Sequence, residues 1–530
     1  MSGPRAAPHP NALPSGEREP SESEAGTGSI RVGGRRLRID DVVTVARGDA
    51  IVELDPDVHR RIAAARDVVL RLVQGETPIY GVNSALGANT GQRLDPTDLA
   101  EYQRRAIRAR AVGVGPCYDR ASVRAMLFAR IAGMAAGGSG VSLEVLVALV
   151  ALVNRRVHPI VPRYGSIGVA DLPQLAHLAL PLIGEGLAEF EGEVLPGADA
   201  LRRAGLAPVA LGPKDGVALI SANAATIARG ALVVADTVTL ARQWLAAVAT
   251  SCEGFRANLS PLDPRAVSAR PAPGQIDVAA QLRALLAGSA LLEPGAARRV
   301  QDPLSFRSVA QVHGALDAAL ANAREQIELE LDSAAESPLV LADDGVMLSN
   351  GNFHLPAFAL AFDTLAIALA QATSLAVERV IRFMSPALTD LPLQLTRHGP
   401  AHSGFATVQK TLTALWSEIR HRANPASLDF LPVSEGIEDH ATMALGTVER
   451  IAEMLDRIRY VIAIEMLVAA QAIDLRGLDD RQLGVSVRAL HAALRARVPM
   501  LEHDRPLGPD IDAIAALLAD DALPSAVRAP

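Results

Sequence analysis

Apolar residues recur at helical spacing through residues 141–157, 216–250, 310–333, 355–385, 404–423 and 440–475, windows that are long for globular helices. Aromatic side chains make up only 3% of the chain, poor material for sheets, while Ala, Leu, Arg and Glu dominate and favour helices. Gly/Pro-rich connections separate the windows. Such a chain hides its apolar stripes by laying long helices side by side, so a mainly α fold, a bundle of long helices, is expected.

The most apolar window, LPAFALAFDTLAIALAQATSLAV at 355–377, has the length of a bilayer span. Asp363, Gln371 and Thr373 interrupt it and its Ala-rich faces suit close packing, which points to a buried core helix and no membrane. The formal net charge is −8, with Lys and Arg scattered, which argues against a nucleic-acid partner and for small-molecule chemistry. Cys117 and Cys252 stand far apart and supply neither a disulfide framework nor a metal-ligand cluster, consistent with a reducing cytoplasm. Residues 1–28, rich in Pro, Gly, Ser and Glu, read as a disordered tail without a secretory h-region. Beyond it we divide the chain into an N-terminal active-site loop region (29–220), a central long-helix bundle (221–480) and a C-terminal helical segment (481–530).

Six Gly/Pro/Asn-rich pieces can present polar groups to a cleft: TPIYGVNSALGANTG (77–91), RARAVGVGP (108–116), RYGSIGVADLPQ (163–174), RVQDPLSFRSVAQVHG (299–314), LSNGNFHLP (348–356) and LPVSEGIEDH (431–440). In this order they resemble the aromatic amino acid lyase family, which includes the histidine and phenylalanine ammonia-lyases, from about residue 30 to about residue 480. The resemblance implies that family's fumarase/aspartase-like helix bundle with a smaller loop-rich N-terminal part. It also implies a homotetramer whose active sites are assembled from loops of more than one subunit.

Active members of the family cyclise an Ala-Ser-Gly triplet into methylidene-imidazolone, a backbone-derived electrophile. Here only Val169 and Ala170 lie between Gly168 and Asp171, one position fewer and without a serine, and Ser166 belongs to the preceding Gly-Ser-x-Gly step. The resemblance therefore implies a member with no such cofactor, and nothing in the sequence supplies metal-ligand spacing. Other departures agree. Ser221 stands where the family usually has Asn, Leu304 where it has Tyr after Gln-Asp-Pro, and Arg110 where it has a substrate-sensing His.

What persists is a reaction set. By resemblance Tyr80 is the base that takes the β-proton, Arg307 the clamp on the substrate carboxylate, and Glu438 the acid that contacts an imidazole ring. A primary ammonium loses its own proton before the β-carbon does, so ammonia elimination needs covalent capture by an electrophile. A trimethylammonium has no N–H and leaves as a neutral amine. This pattern resembles the ergothionase branch of the family, which eliminates trimethylamine from ergothioneine to give thiourocanate. Lys410, in SGFATVQKTL, and Glu438 would hold the thioimidazole and take up its charge, and Phe353 would face the trimethylammonium.

Plainer roles stand beside these. Tyr80 could pack, Arg307 could serve an ion pair, and Lys410 could be a solvated surface lysine. Arg110 could bind a substrate anion, pair with an acid or fill the space of the lost ring. Asn223 and Asn352 could polarise a substrate carboxylate or cap backbone groups; His313 and His354 read as structural, and Asp439 and His440 as stabilising a loop or helix start. The competing functions are a lyase for another betaine such as hercynine, or for another substrate with a good leaving group, and a catalytically silent lyase-like binding or scaffold protein.

Overall fold

The computed structural model describes residues 28–75, 79, 81–84, 94 and 99–528. Residues 1–27 of the proposed tail, and Tyr80 itself, lie outside the described residues.

Four long helices form the centre: Ala224–Phe255, Val309–Leu331, Pro356–Phe383 and Ala444–Arg476. The Ala444–Arg476 helix packs along both Ala224–Phe255 and Pro356–Phe383, and Val309–Leu331 packs against Pro356–Phe383. Small residues let the backbones approach: a Cβ on Gly254 would stand 2.9 Å from the Ala469 carbonyl oxygen. In the middle of the bundle, Arg379 and Glu465 form a fully buried pair with Nε to Oε1 at 2.6 Å, and Ser251 Oγ donates to the same oxygen at 2.9 Å. Removing one partner of such a pair leaves an uncompensated charge, at a cost of about 3–5 kcal/mol.

Among the described residues two helical stretches, Asp215–Phe255 and Pro356–Phe383, are long and apolar enough to span a bilayer, yet 89% and 67% of their most apolar windows are buried inside the protein. They are core helices of the bundle. One continuous apolar core runs from Val32 to Val527 and draws residues from 29–220, 221–480 and 481–530 alike.

The structure departs from the sequence reading in two places. The 216–250 window is not one helix: Asp215–Ile220 ends at Ser221, and a new helix starts at Ala224. Ser and Asn compete for backbone hydrogen bonds, and the Ala222 carbonyl accepts from the Asp171 amide at 2.8 Å instead of continuing a helix. The helical windows named from sequence also leave out a helix of the N-terminal part. Its Arg120–Ala135 helix is buried almost end to end against Ala224–Phe255 and Ile39–Arg47. Two buried arginines disguise its apolar character, and each finds a partner inside: Arg124 Nε donates to Val45 O at 2.9 Å, and Arg130 Nη2 pairs with Glu336 at 2.7 Å.

Strands are short and peripheral. Ser29–Val32 pairs in parallel with Ile51–Leu54, and Val114–Cys117 antiparallel with Pro162–Tyr164. His158–Pro159, Leu187–Phe190 and Glu193–Pro196 form an antiparallel sheet, and Leu339–Leu341 with Val346–Leu348 a hairpin.

Candidate active site

The segment from Gly165 to Pro173 is anchored on both sides. Ser166 Oγ donates to Asp171 Oδ1 at 2.7 Å and accepts from the Gly168 amide at 3.0 Å. Asp171 is completely buried ahead of the Leu172–Ala179 helix, and its carboxylate accepts from Thr226 N at 2.7 Å and Thr226 Oγ1 at 2.9 Å, at the first turn of the Ala224–Phe255 helix. Burial pushes the Asp171 carboxyl above the usual carboxylate range, while the hydrogen bonds from Thr226 and Ser166 pull it back down. On the other side Met443 N donates to Ile167 O at 2.8 Å and Thr442 Oγ1 to Gly168 O at 2.9 Å. Gly168 has φ +79°, and a Cβ there would stand 2.7 Å from the Ala444 amide nitrogen, so only glycine fits.

Val169 and Ala170 are thereby held at the wall of a cleft of about 1060 Å³, at the upper end of small-molecule sites. Ala170 has φ +55°, a left-handed conformation that costs a non-glycine residue on the order of 1 kcal/mol. These residues do not fit a backbone-derived methylidene-imidazolone. Neither carries a hydroxyl, and Ser166 is committed to Asp171 and Gly168.

Facing this wall are Arg110, Ser221, Phe353, His354, Glu438, Asp439 and His440. Arg110 follows the Leu99–Arg108 helix and is half-buried, with Nη1 donating to Ala106 O at 3.2 Å. Val169 and His354 form an antiparallel bridge that fixes the Phe353 loop beside the 165–173 segment. Asn223 is fully buried and does not line the cleft. Its Nδ2 donates to the Phe353 carbonyl at 2.6 Å, so of its two suggested roles it takes the one of holding backbone. Glu438 is placed by a tight turn in which Val433 N donates to Glu438 O at 3.0 Å. The cleft thus combines a guanidinium, two carboxylates, two imidazoles and an aromatic ring, a lining suited to a small zwitterion.

The His354–His440 pair was not foreseen. Nε2 of His354 and Nδ1 of His440 stand 2.8 Å apart across 86 residues of sequence. Burial, and then the neighbouring His440, pull the His354 pKa below the ordinary histidine value. Neither "GNFH" nor "EDH" signals this contact.

Of the other named residues, two lie elsewhere and one is not described. Tyr80 is outside the described residues, but its flanks form a buried turn: Ser84 Oγ donates to Ile79 O at 3.0 Å, and Gln103 Nε2 to Gly81 O at 3.3 Å. Arg307 closes the short Leu304–Arg307 helix and is not part of the cleft wall of its own chain. Its terminal nitrogens face the Gln301 side-chain amide, and its Nε is buried with no hydrogen-bond partner among the described residues. Lys410 is exposed on the first turn of the Val408–Arg422 helix and likewise does not reach the cleft of its own chain.

Residues 37–496 match the family model for aromatic amino acid lyases. The chain is 40% identical over 501 residues to the histidine ammonia-lyase of Myxococcus xanthus, covering 94% of this chain and 98% of the relative. It is 41% identical over 506 residues to the histidine ammonia-lyase of Sorangium cellulosum, covering 93% and 98%. Among solved structures it is similar to the ergothioneine-degrading ergothionase of Treponema denticola in complex with desmethyl-ergothioneine sulfonic acid, with TM-score 0.91 and 32% identity, covering 93% of this chain and 99% of that one. It is also similar to histidine ammonia-lyase from Trypanosoma cruzi, with TM-score 0.85 and 32% identity, covering 94% and 95%.

Proposed function

The chain belongs to the aromatic amino acid lyase family, and from that premise we propose a carbon–nitrogen lyase that works without methylidene-imidazolone and expels trimethylamine from ergothioneine to give thiourocanate. One observation carries the proposal: the wall of the cleft where the electrophile would be built holds Val169 and Ala170, with no serine between Gly168 and Asp171. The likeness to ergothionase supports it. The curated relatives carry the name histidine ammonia-lyase, and that reaction requires the electrophile this segment cannot form.

In the proposed reaction Arg307, half-buried at the end of its short helix, binds the substrate carboxylate through its guanidinium by charge-assisted hydrogen bonds. Glu438 and Lys410 engage the thioimidazole, and Phe353 offers its ring to the trimethylammonium, an attraction of about 0.5–2 kcal/mol. Tyr80 removes a β-proton; the C–H electron pair becomes the Cα–Cβ double bond, the Cα–N bond breaks, and trimethylamine departs with that bond's pair as a neutral molecule. The proton passes from Tyr80 to solvent. Because Arg307 and Lys410 lie away from the cleft of their own chain, we place them in the cleft of a neighbouring copy, in a homotetramer with shared sites.

The test is direct. Purified protein is mixed with ergothioneine, hercynine or histidine, with Tyr80→Phe as control, and thiourocanate or urocanate absorbance is followed together with released amine. Thiourocanate and trimethylamine formed from ergothioneine, and lost in Tyr80→Phe, support the proposal. Urocanate and ammonia from histidine would restore the ammonia-lyase reading; turnover of hercynine alone would move the substrate to the unmodified betaine. No turnover of any of the three would leave a binding or scaffold protein.

A further inference from the structure

Away from the cleft wall three imidazoles converge. His398 and His402 sit in the loop between Leu393–Leu395 and the Val408–Arg422 helix, and His503 in the segment between the Val485–Arg495 and Gly508–Ala519 helices. One ring nitrogen from each lies within 4.8 Å of the other two. The ring centroids are 4.6 Å apart for His398–His402 and His398–His503, and 5.7 Å for His402–His503. Other histidines spend a ring nitrogen on a nearby partner, as His158 does on Glu189 and His491 on Asp474, each at 2.8 Å. Among the described residues, the side chains of these three form no such hydrogen bond.

Their meeting is built into the backbone. Gln471, buried in the Ala444–Arg476 helix, donates to Leu395 O at 3.2 Å and Leu501 O at 3.1 Å, and accepts from Leu501 N at 3.0 Å. One core side chain therefore anchors both segments. Asp504, next to His503, accepts from Ser403 N at 2.7 Å and Gly404 N at 2.9 Å and so ties the His402 loop directly to the His503 segment. Its carboxylate also places negative charge beside His398 and His402.

We propose that His398, His402 and His503 form a binding site for a divalent first-row transition ion of the zinc type, with three imidazole ligands and a fourth position open to water. An all-nitrogen set selects such ions over Mg²⁺ and Ca²⁺, which take oxygen ligands. Zn–N bonds of about 2.1 Å set ligand nitrogens about 3.4 Å apart in a tetrahedron. The present nitrogens, all within 4.8 Å of one another, stand at most about 1.4 Å wider than that spacing. His503 is exposed, which leaves the water side open. The ion would clip the C-terminal segment to the loop that leads into the Val408–Arg422 helix, and so fix the first turn of the helix that carries Lys410. This site does not depend on the lyase reading.

The test uses full-length, untagged, metal-stripped protein titrated with Zn²⁺ by calorimetry, and with Co²⁺ by visible absorption. The expected result is one ion per chain, the ligand-field bands of a near-tetrahedral Co²⁺ site, and a higher thermal unfolding midpoint with Zn²⁺. His402→Ala and His503→Ala each weaken binding by about tenfold or more, and the triple alanine variant abolishes both binding and the thermal shift. His59→Ala, on an exposed helix position elsewhere, binds as the unaltered protein does. Stoichiometry below one ion per chain, or affinity unchanged in His402→Ala and His503→Ala, would overturn the site. Circular dichroism of each variant separates lost ligands from lost fold.

Discussion

Ser166 Oγ reaches Asp171 Oδ1 at 2.7 Å while accepting from the Gly168 amide at 3.0 Å, so the only serine of RYGSIGVADLPQLAHLAL holds backbone together. Ser166→Ala is therefore expected to keep turnover of ergothioneine while lowering stability by about 1–3 kcal/mol, the cost of leaving buried polar groups short of a partner. Denaturant unfolding beside an activity assay measures both. The intact mass of the unaltered protein should equal that of plain peptide; a mass lowered by dehydration of this segment contradicts the proposed chemistry.

Glu438 is in the cleft wall and Lys410 is not. Glu438→Gln is expected to lower kcat/KM for ergothioneine by about 10²–10⁴-fold, the usual worth of a positioned acid–base group. Lys410→Met should reduce elimination from ergothioneine more than from hercynine, since only the former has a ring sulfur to stabilise. Equal losses on both substrates would remove Lys410 from ring recognition.

If neighbouring chains supply Arg307 and Lys410, two dead variants can repair each other. Co-expressed Glu438→Gln and Arg307→Met chains should regain activity that neither has alone, because some mixed sites receive an intact residue from each partner. Sedimentation of the mixture checks that mixed assemblies form. Mixed assemblies with no recovered activity would place Arg307 and Glu438 in one chain's site.

His313 gives a pH prediction for stability. It is fully buried in the Val309–Leu331 helix, edge-on to Trp244 with ring centroids 5.1 Å apart. Burial, aided by the Arg379 charge, pulls its pKa from the ordinary 6.5 to about 3. The unfolded chain therefore takes up a proton below about pH 6.5 that the folded protein refuses. This contribution is complete above that pH and is lost progressively as pH falls towards 3, at up to about 1.4 kcal/mol per pH unit. His313→Leu should flatten that slope, read from denaturant unfolding between pH 7 and pH 4; an unchanged slope would mean the buried ring is not the source.

Much of the bundle was legible from periodicity. The windows 310–333, 355–385 and 440–475 became helices Val309–Leu331, Pro356–Phe383 and Ala444–Arg476, because a long apolar stripe has one economical way to hide. The break at Ser221–Asn223 was hidden, since the groups that stabilise it come from Asp171, far away in sequence. The Arg120–Ala135 helix was hidden because its buried arginines look like surface residues until Val45 O and Glu336 are seen beside them.

At the site the division is similar. The lack of a serine between Gly168 and Asp171 is a covalent fact, readable without coordinates, and the motifs that brought Arg110, Phe353 and Glu438 forward meet in one cleft. Only the tertiary structure turned Asn223 onto the Phe353 carbonyl, joined His354 to His440, brought His503 to His398 and His402, and left Arg307 and Lys410 away from their own chain's cleft. Local composition decides what a segment can do chemically and which face it must bury. Which distant groups then face one another depends on packing summed over the whole chain, and no single segment of sequence carries that sum.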